Sequence, residues 1–280
     1  MMSHYDVFNL ASLVMLTYEY GKILKLNKEI DFKTFFNKNY IDKYLECNIC
    51  RSSAIKNFVK ERPFGWFHKY HLSYDTGLHV IIFVNEYKKK IYIVFKGTDH
   101  DIDWYYNLQF FQIKLNDKNV FVHQGFYKKL HNDGMYEKIL KEIQFLLLQY
   151  SGFEIVITGH SLGAALATLL SFELSSKISN SIKVVTFASP RVGNFEFKNE
   201  FDNTKNLVHY RITNDKDLVT AIPFFTYHHV GINIALSEDK VDIFKQYTYD
   251  LCLKFSIFNC HSLCDHDMDN YFKRIIDNEW

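Results

Sequence analysis

Five consecutive residues, Gly159-His160-Ser161-Leu162-Gly163, constrain this chain more than any others. They follow the apolar run Phe153-Glu154-Ile155-Val156-Ile157-Thr158 and precede Ala164-Ala165-Leu166-Ala167-Thr168-Leu169-Leu170. The pattern is a strand, a sharp turn carrying a serine, and a helix. Such a turn strains the serine backbone and lifts its hydroxyl clear of the sheet, and only small residues two places to either side let strand and helix approach that closely. Glycine is scarce, 11 residues in 280, so two of them flanking one serine mark a placed feature. A glycine-rich turn whose serine merely caps a helix would look the same over five residues, and the rest of the chain must separate the two.

A chain of 280 residues, 48% of them hydrophobic, is long enough for one large core and short enough to remain one α/β domain, expected to span 1–280. The 33 basic and 32 acidic side chains are mixed along the sequence, so no field steers a polyanion to it and nucleic acid is not expected as a partner. No apolar run approaches the ~20 residues that span a bilayer. The start, Met1-Met2-Ser3-His4-Tyr5-Asp6, lacks the basic region of a signal peptide, and Val7 to Tyr20 reads as an amphipathic helix. A cytoplasmic protein, with peripheral association to lipid surfaces, is the expectation. The five cysteines, Cys47, Cys50, Cys252, Cys260 and Cys264, cannot all pair and read as reduced thiols. The alternative is zinc held by Cys47, Cys50, Cys260 and Cys264 with His261 or His266, although the second cluster lacks a standard spacing.

Strand-like and helix-like segments alternate through the middle of the chain, which predicts a mostly parallel sheet with helices on its faces. Leu78–Asn85 and Lys89–Phe95 read as a hairpin, Gly125–Tyr150 as one long helix, and 161–178 as the helix after the serine. Ile182–Phe187 and Leu207–Ile212 read as strands joined by a helix around Phe195–Phe201, and Met268–Ile276 as a short helix. Residues 23–76 are hard to interpret.

A serine hydroxyl needs an imidazole to accept its proton and a carboxylate to hold that imidazole in the correct tautomer. In hydrolases of this architecture the acid and then the histidine follow the serine in the chain. Asp215 and Asp217 leave the strand ending near Ile212, and His261 and His266 lie near the C-terminus. Asp215 also reads as a solvated loop charge or turn former, and Asp265 as an exposed or helix-capping carboxylate.

The chain resembles the class 3 lipases, a family of fungal triacylglycerol lipases with plant and viral relatives. Six blocks from about Ile91 to Tyr271 carry the likeness: Phe95-Lys96-Gly97-Thr98 with Asp103-Trp104; His123-Gln124-Gly125-Phe126; Gly159 to Gly163; Phe187-Ala188-Ser189-Pro190-Arg191-Val192-Gly193-Asn194; the acid block around Asn214, Asp217 and Pro223; and Asp265-His266 with Tyr271. The resemblance implies an α/β-hydrolase fold, a mostly parallel central sheet with helices on both faces. It also implies a lipase or carboxylic ester hydrolase without cofactor or metal, cleaving acyl esters of glycerolipids, triacylglycerol or related, through a Ser-His-Asp acyl-enzyme, with lipid or another acyl ester as substrate. It assigns Ser161, Asp217 and His266 as the catalytic set, with His261 as the second choice of base, and Thr98 and Leu162 as the oxyanion hole. His123 and His229 fall at positions the family uses structurally. Lys96 stands where Arg is usual, Ala188 where Gly is, and Asn107 where a second acid is, and the lysine puts a bidentate contact in doubt. The stretch His100–Lys114, with Trp104 and six other large apolar residues, falls where the family carries a lid, with burial in the core as the alternative. A phospholipase or soluble-ester esterase, and a lipase-like interaction protein without catalysis, are the competing readings.

Overall fold

The structure is a computed structural model, and it describes residues 2–26, 65–73, 77–97, 111–238, 240–244, 264–278 and 280. Its strands are β1 (Trp66–Ser73), β2 (Leu78–Asn85), β3 (Lys90–Phe95), β4 (Gln112–Lys114), β5 (Phe121–His123), β6 (Glu154–His160), β7 (Ile182–Phe187), β8 (Leu207–Asn214), β9 (Ile232–Leu236) and β10 (Val241–Phe244). Its helices are α1 (His4–Leu26), α2 (Gln124–His131), α3 (Met135–Gln149), α4 (Leu162–Ser175), α5 (Phe195–Asp202) and α6 (Met268–Asp277). The main sheet runs β1-β2-β3-β6-β7-β8-β9-β10, with β3, β6, β7, β8 and β9 parallel and the outer pairs antiparallel. A small ribbon, β4 with β5, stands apart.

Both faces of the sheet are covered, and the alternation along each strand divides the core in two. In β3, Ile91, Ile93 and Phe95 point into a core beneath α2, α3, α4 and α5. Tyr92 and Val94 point the other way, into a core beneath α1 and α6. Helix α4 is apolar nearly all round and buried from Leu162 to Ser171, as expected of the element that covers the centre of a parallel sheet.

Two expected elements need correction. The 125–150 segment is not one helix: Asp133 (φ 57°) and Gly134 (φ 61°) are both left-handed and break it into α2 and α3. The run Asn132-Asp133-Gly134 is a turn signal overridden in the sequence by the helical periodicity on either side. The N-terminal helix is longer than expected and not amphipathic, because α1 is sandwiched between the sheet and α6 and is buried all round from Leu10 to Val14. Its buried hydroxyls, Ser12 and Thr17, donate back to the carbonyls of Phe8 and Val14 (2.9 and 2.7 Å), which satisfies them without a tertiary partner. Among the described residues no helix is long and apolar enough to cross a membrane.

Candidate active site

Ser161 stands between the end of β6 and the start of α4 with φ 59° and ψ −123°, a conformation of the sparsely populated kind found at strained turns. The flanking glycines make it possible. A Cβ on Gly159 would lie 2.5 Å from the Gly163 carbonyl oxygen, and one on Gly163 would lie 2.7 Å from that of Phe95. The turn is therefore clamped between α4 and the end of β3. The Ser161 carbonyl accepts from the N–H groups of Ala164 and Ala165 (3.0 and 3.2 Å). The Leu162 N–H is the first of the helix, one of the donors that a helix leaves without an intrahelical partner.

Asp217 lies in the turn after β8, with no side-chain exposure. Its carboxylate accepts from the Val219 N–H at 2.9 Å, from the Tyr271 hydroxyl at 2.6 Å, and from His266, whose Nδ1 is 3.0 Å from each oxygen. Three converging donors fix the orientation of this buried carboxylate. Burial, the Asp217 charge and the bond to it push the Tyr271 phenol well above its ordinary range, so Tyr271 remains a donor. Tyr271 in turn accepts from the Asn214 N–H at 2.9 Å, and the Asn214 side chain donates to the Asp265 carbonyl at 2.9 Å, tying the base turn to the end of β8.

The other expected acids have different partners. Arg274 donates to Asp215 at 2.6 Å and to Asp265 at 2.9 Å, so both carboxylates pair with one guanidinium on α6 and neither joins His266. Asp265 is thus an ion-pair partner and not the helix cap. That role falls to Asp267, which accepts from the Asp269 N–H at 3.2 Å.

His160, one residue before Ser161, connects the elbow to His266. Its Nε2 is 2.8 Å from the His266 carbonyl oxygen, and the two rings lie 4.8 Å apart. Its Nδ1 is 2.8 Å from the Tyr18 hydroxyl on α1. Gly97 runs close under the same point, where a Cβ would lie 2.7 Å from the His160 carbonyl oxygen. Lys96 is buried, with its ammonium 5.8 Å from the centre of the Tyr18 ring, so here the lysine sits against an aromatic face. Arg191 is fully buried and donates to the carbonyls of Ala221 and Pro223, pinning the loop that follows Asp217. Ala188 adopts φ 55°, which explains why glycine is usual there, and alanine bears the strain at this buried strand end.

His123 and His229 are structural, as expected. His123 accepts from the Gly125 and Phe126 N–H groups at the start of α2, and His229 Nε2 is 2.7 Å from the Thr220 carbonyl. Thr98, Trp104, Asn107 and His261 lie outside the described residues, as do Cys47, Cys50, Cys252 and Cys260. Among the described residues no group of three or more His, Cys, Asp or Glu is arranged to hold a metal ion. Sequence reasoning missed Tyr18, Arg274 and the part played by His160. Of these only His160 carried a signal, its place inside the elbow.

The model of the class 3 lipases matches residues 92–227, from β3 through the acid turn. Over that span the chain is similar to the class 3 lipases. Among relatives, phospholipase A1-II 6 of Oryza sativa subsp. japonica is 31% identical over 185 residues, covering 55% of this chain and 45% of that protein. The lipase of Rhizomucor miehei is 28% identical over 190 residues, covering 64% of this chain and 50% of that one. The chain thus spans about half the length of the curated relatives it matches. Among solved structures, a lipase from Rhizopus microsporus var. chinensis superposes with a TM-score of 0.71 at 23% identity, over 94% of this chain and 85% of that one. A triacylglycerol lipase described as having a serine protease triad at its catalytic centre does so with a TM-score of 0.66 at 24% identity, over 75% of this chain and 82% of its own. The fold is that of these class 3 lipases, an α/β-hydrolase with a mostly parallel sheet.

Proposed function

We propose that Ser161, His266 and Asp217 are nucleophile, base and orienting acid of a carboxylic ester hydrolase that acts on glycerolipids. The observation that carries this is the pair of 3.0 Å contacts from the two oxygens of buried Asp217 to His266 Nδ1, with the His266 carbonyl bonded to His160, the residue before the strained Ser161. With Nδ1–H donated to the carboxylate, Nε2 is left as the basic nitrogen. Ser161 Oγ attacks the ester carbonyl carbon while its proton passes to Nε2, and the carbonyl electron pair moves onto oxygen. The Leu162 N–H, with the N–H and hydroxyl of Thr98, holds that oxyanion in this reading. Collapse expels the alcohol, which takes the proton from Nε2 and leaves an acyl ester on Ser161. Water repeats the sequence and releases the carboxylic acid.

The names of the relatives, a rice phospholipase A1 and a fungal lipase, support glycerolipid esters as the substrate class. Exposed aromatics support action at a lipid surface. Phe111 is 63% exposed and Phe225 89% exposed, and the bond from Gln112 to Thr226 (3.1 Å) sets their neighbours side by side. The 100–114 segment, which contains Phe111, is the proposed lid. The reading places the enzyme in a reducing, cytoplasmic setting, in keeping with an odd set of five cysteines.

Ser161→Ala is expected to abolish labelling by a fluorophosphonate probe and to cut hydrolysis of p-nitrophenyl butyrate by about 10⁵-fold or more. A variant that hydrolyses this ester at the wild-type rate would refute the assignment. A panel of emulsified triglyceride, phospholipid vesicles and dissolved esters then ranks head groups. Equal turnover on all three, with no rise when a short-chain triglyceride passes its solubility limit, would reduce the protein to a soluble-ester hydrolase.

A further inference from the structure

The hydrogen-bond chain from α1 to the base turn has no step in the acyl transfer, yet its donor directions are fully determined. The His266 carbonyl only accepts, so the 2.8 Å contact from His160 Nε2 requires the proton on that nitrogen. Nδ1 of the neutral ring is then a lone pair, and the Tyr18 hydroxyl, 2.8 Å away, must donate to it. Burial, with a smaller contribution from neighbouring His266, holds the His160 ring well below the ordinary imidazole range, so the ring is neutral and only this tautomer satisfies both partners.

The geometry gives that tautomer a task. His160 is the last residue of β6 and is bonded directly to Ser161, so its side chain measures from the nucleophile's own backbone to the backbone of the base. The two imidazoles also lie against each other at 34°. His266 is thereby held at its ring nitrogen by Asp217 and at its carbonyl by His160. Fixing only the first would leave the ring free to swing about the carboxylate and change its reach to Ser161. Resting on the acyl-transfer reading above, we propose that His160, its tautomer set by Tyr18, is a positioning residue that fixes the separation of base and nucleophile by gripping the His266 carbonyl.

The test compares His160→Gln, which keeps an N–H donor near the Nε2 position, with His160→Met, which keeps volume and has none. Tyr18→Phe is the third variant. Each full-length protein is checked by circular dichroism and melting, and kcat and KM are read on dissolved p-nitrophenyl butyrate beside the rate of fluorophosphonate labelling. A displaced catalytic group slows the chemical step without weakening binding, so His160→Met is expected to lose about 10–100-fold in kcat with KM nearly unchanged. His160→Gln is expected to recover most of that loss, and Tyr18→Phe to show a smaller fall of the same kind. The proposal is overturned if folded His160→Met keeps wild-type kcat, if Gln and Met lose equally, or if the loss is all in KM. Should His160→Met fail to fold, an unchanged kcat and labelling rate in Tyr18→Phe overturns it as well. A wild type that is labelled at Ser161 but insensitive to these changes sinks this proposal alone. A wild type that neither labels nor hydrolyses any ester sinks the acyl-transfer reading, and this proposal with it.

Discussion

Asp217 and Asp215 lie two residues apart with identical side chains, and their surroundings give them opposite roles. Asp217 is buried among three donors, one of them His266, whereas Asp215 is partly exposed and paired with Arg274. In the acyl-transfer reading proposed above, Asp217→Asn removes the charge that orients and stabilises the imidazolium, and it is expected to lower kcat by about 10³–10⁴-fold. Asp215→Asn breaks an ion pair at the surface, where such pairs contribute roughly 0–1 kcal/mol, and should leave kcat within a factor of a few. Steady-state rates on one dissolved ester check both, and the reverse ranking would move the acid to Asp215. Tyr271→Phe deletes a bond to a buried carboxylate and strands the Asn214 N–H, so it should lower unfolding stability by about 1.5–3 kcal/mol. An unchanged urea midpoint would show that the hydroxyl contributes nothing. Part of this was legible in the sequence: residue type and chain order narrowed the acid to two candidates. The choice between them on physical grounds needed α6, because Arg274 and Tyr271 arrive from more than fifty residues away.

At the scale of elements, the elbow was readable because it is local. An apolar run, a small residue, a serine, a small residue and a helical run are contiguous, and the steric demand that links them acts over five residues. Gly163→Ala places a Cβ against the backbone of Phe95 and Lys96, which cannot yield without opening β3 from α4, and is expected to destabilise by several kcal/mol or prevent folding. Gly77, at φ 62° with open space around it, supplies the contrast. Alanine there bears only backbone strain of about 1 kcal/mol. Chemical denaturation of the two variants separates these cases, and equal midpoints would refute the clash. The missed break between α2 and α3 has the opposite cause. Apolar residues keep helical spacing on both sides of Asn132-Asp133-Gly134, so periodicity bridged a turn that two left-handed residues actually make.

For the whole molecule, buried histidines set a direction with pH. His160, His209 and His229 are all held well below the ordinary imidazole value of 6.5, chiefly by burial, with Arg211 adding repulsion at the last two. The unfolded chain takes up protons at these rings below about pH 6.5 while the folded chain does not. Stability from this source is therefore complete above pH 6.5 and is lost as pH falls below it, at up to about 1.4 kcal/mol per pH unit for each ring. The melting temperature should drop steeply between pH 6.5 and 5.5 and stay nearly level from 7 to 8. A level curve across the whole range would show that the buried rings take up protons in the folded state. The three histidines sit on β6, on β8 and in the loop after Asp217.

The sequence by itself determined the elements whose causes are local: the hairpin of β2 and β3, the elbow, the parallel strands β7 and β8, and the helix after the serine. It also carried the likeness to the class 3 lipases, because six short blocks in fixed order are a property of the chain and need no coordinates. Tertiary structure decided what depends on residues meeting from distant parts of the chain. It buried α1 on all sides from Leu10 to Val14 between sheet and α6, where sequence periodicity suggested one exposed face. It consumed Asp215 and Asp265 in one ion-pair cluster, and it ran a hydrogen-bond chain from Tyr18 through His160 to His266, residues 142 and 106 positions apart. Spacing along a chain reports helix and strand faces a few residues at a time, whereas a hydrogen bond between elements is fixed only once both have docked on the sheet.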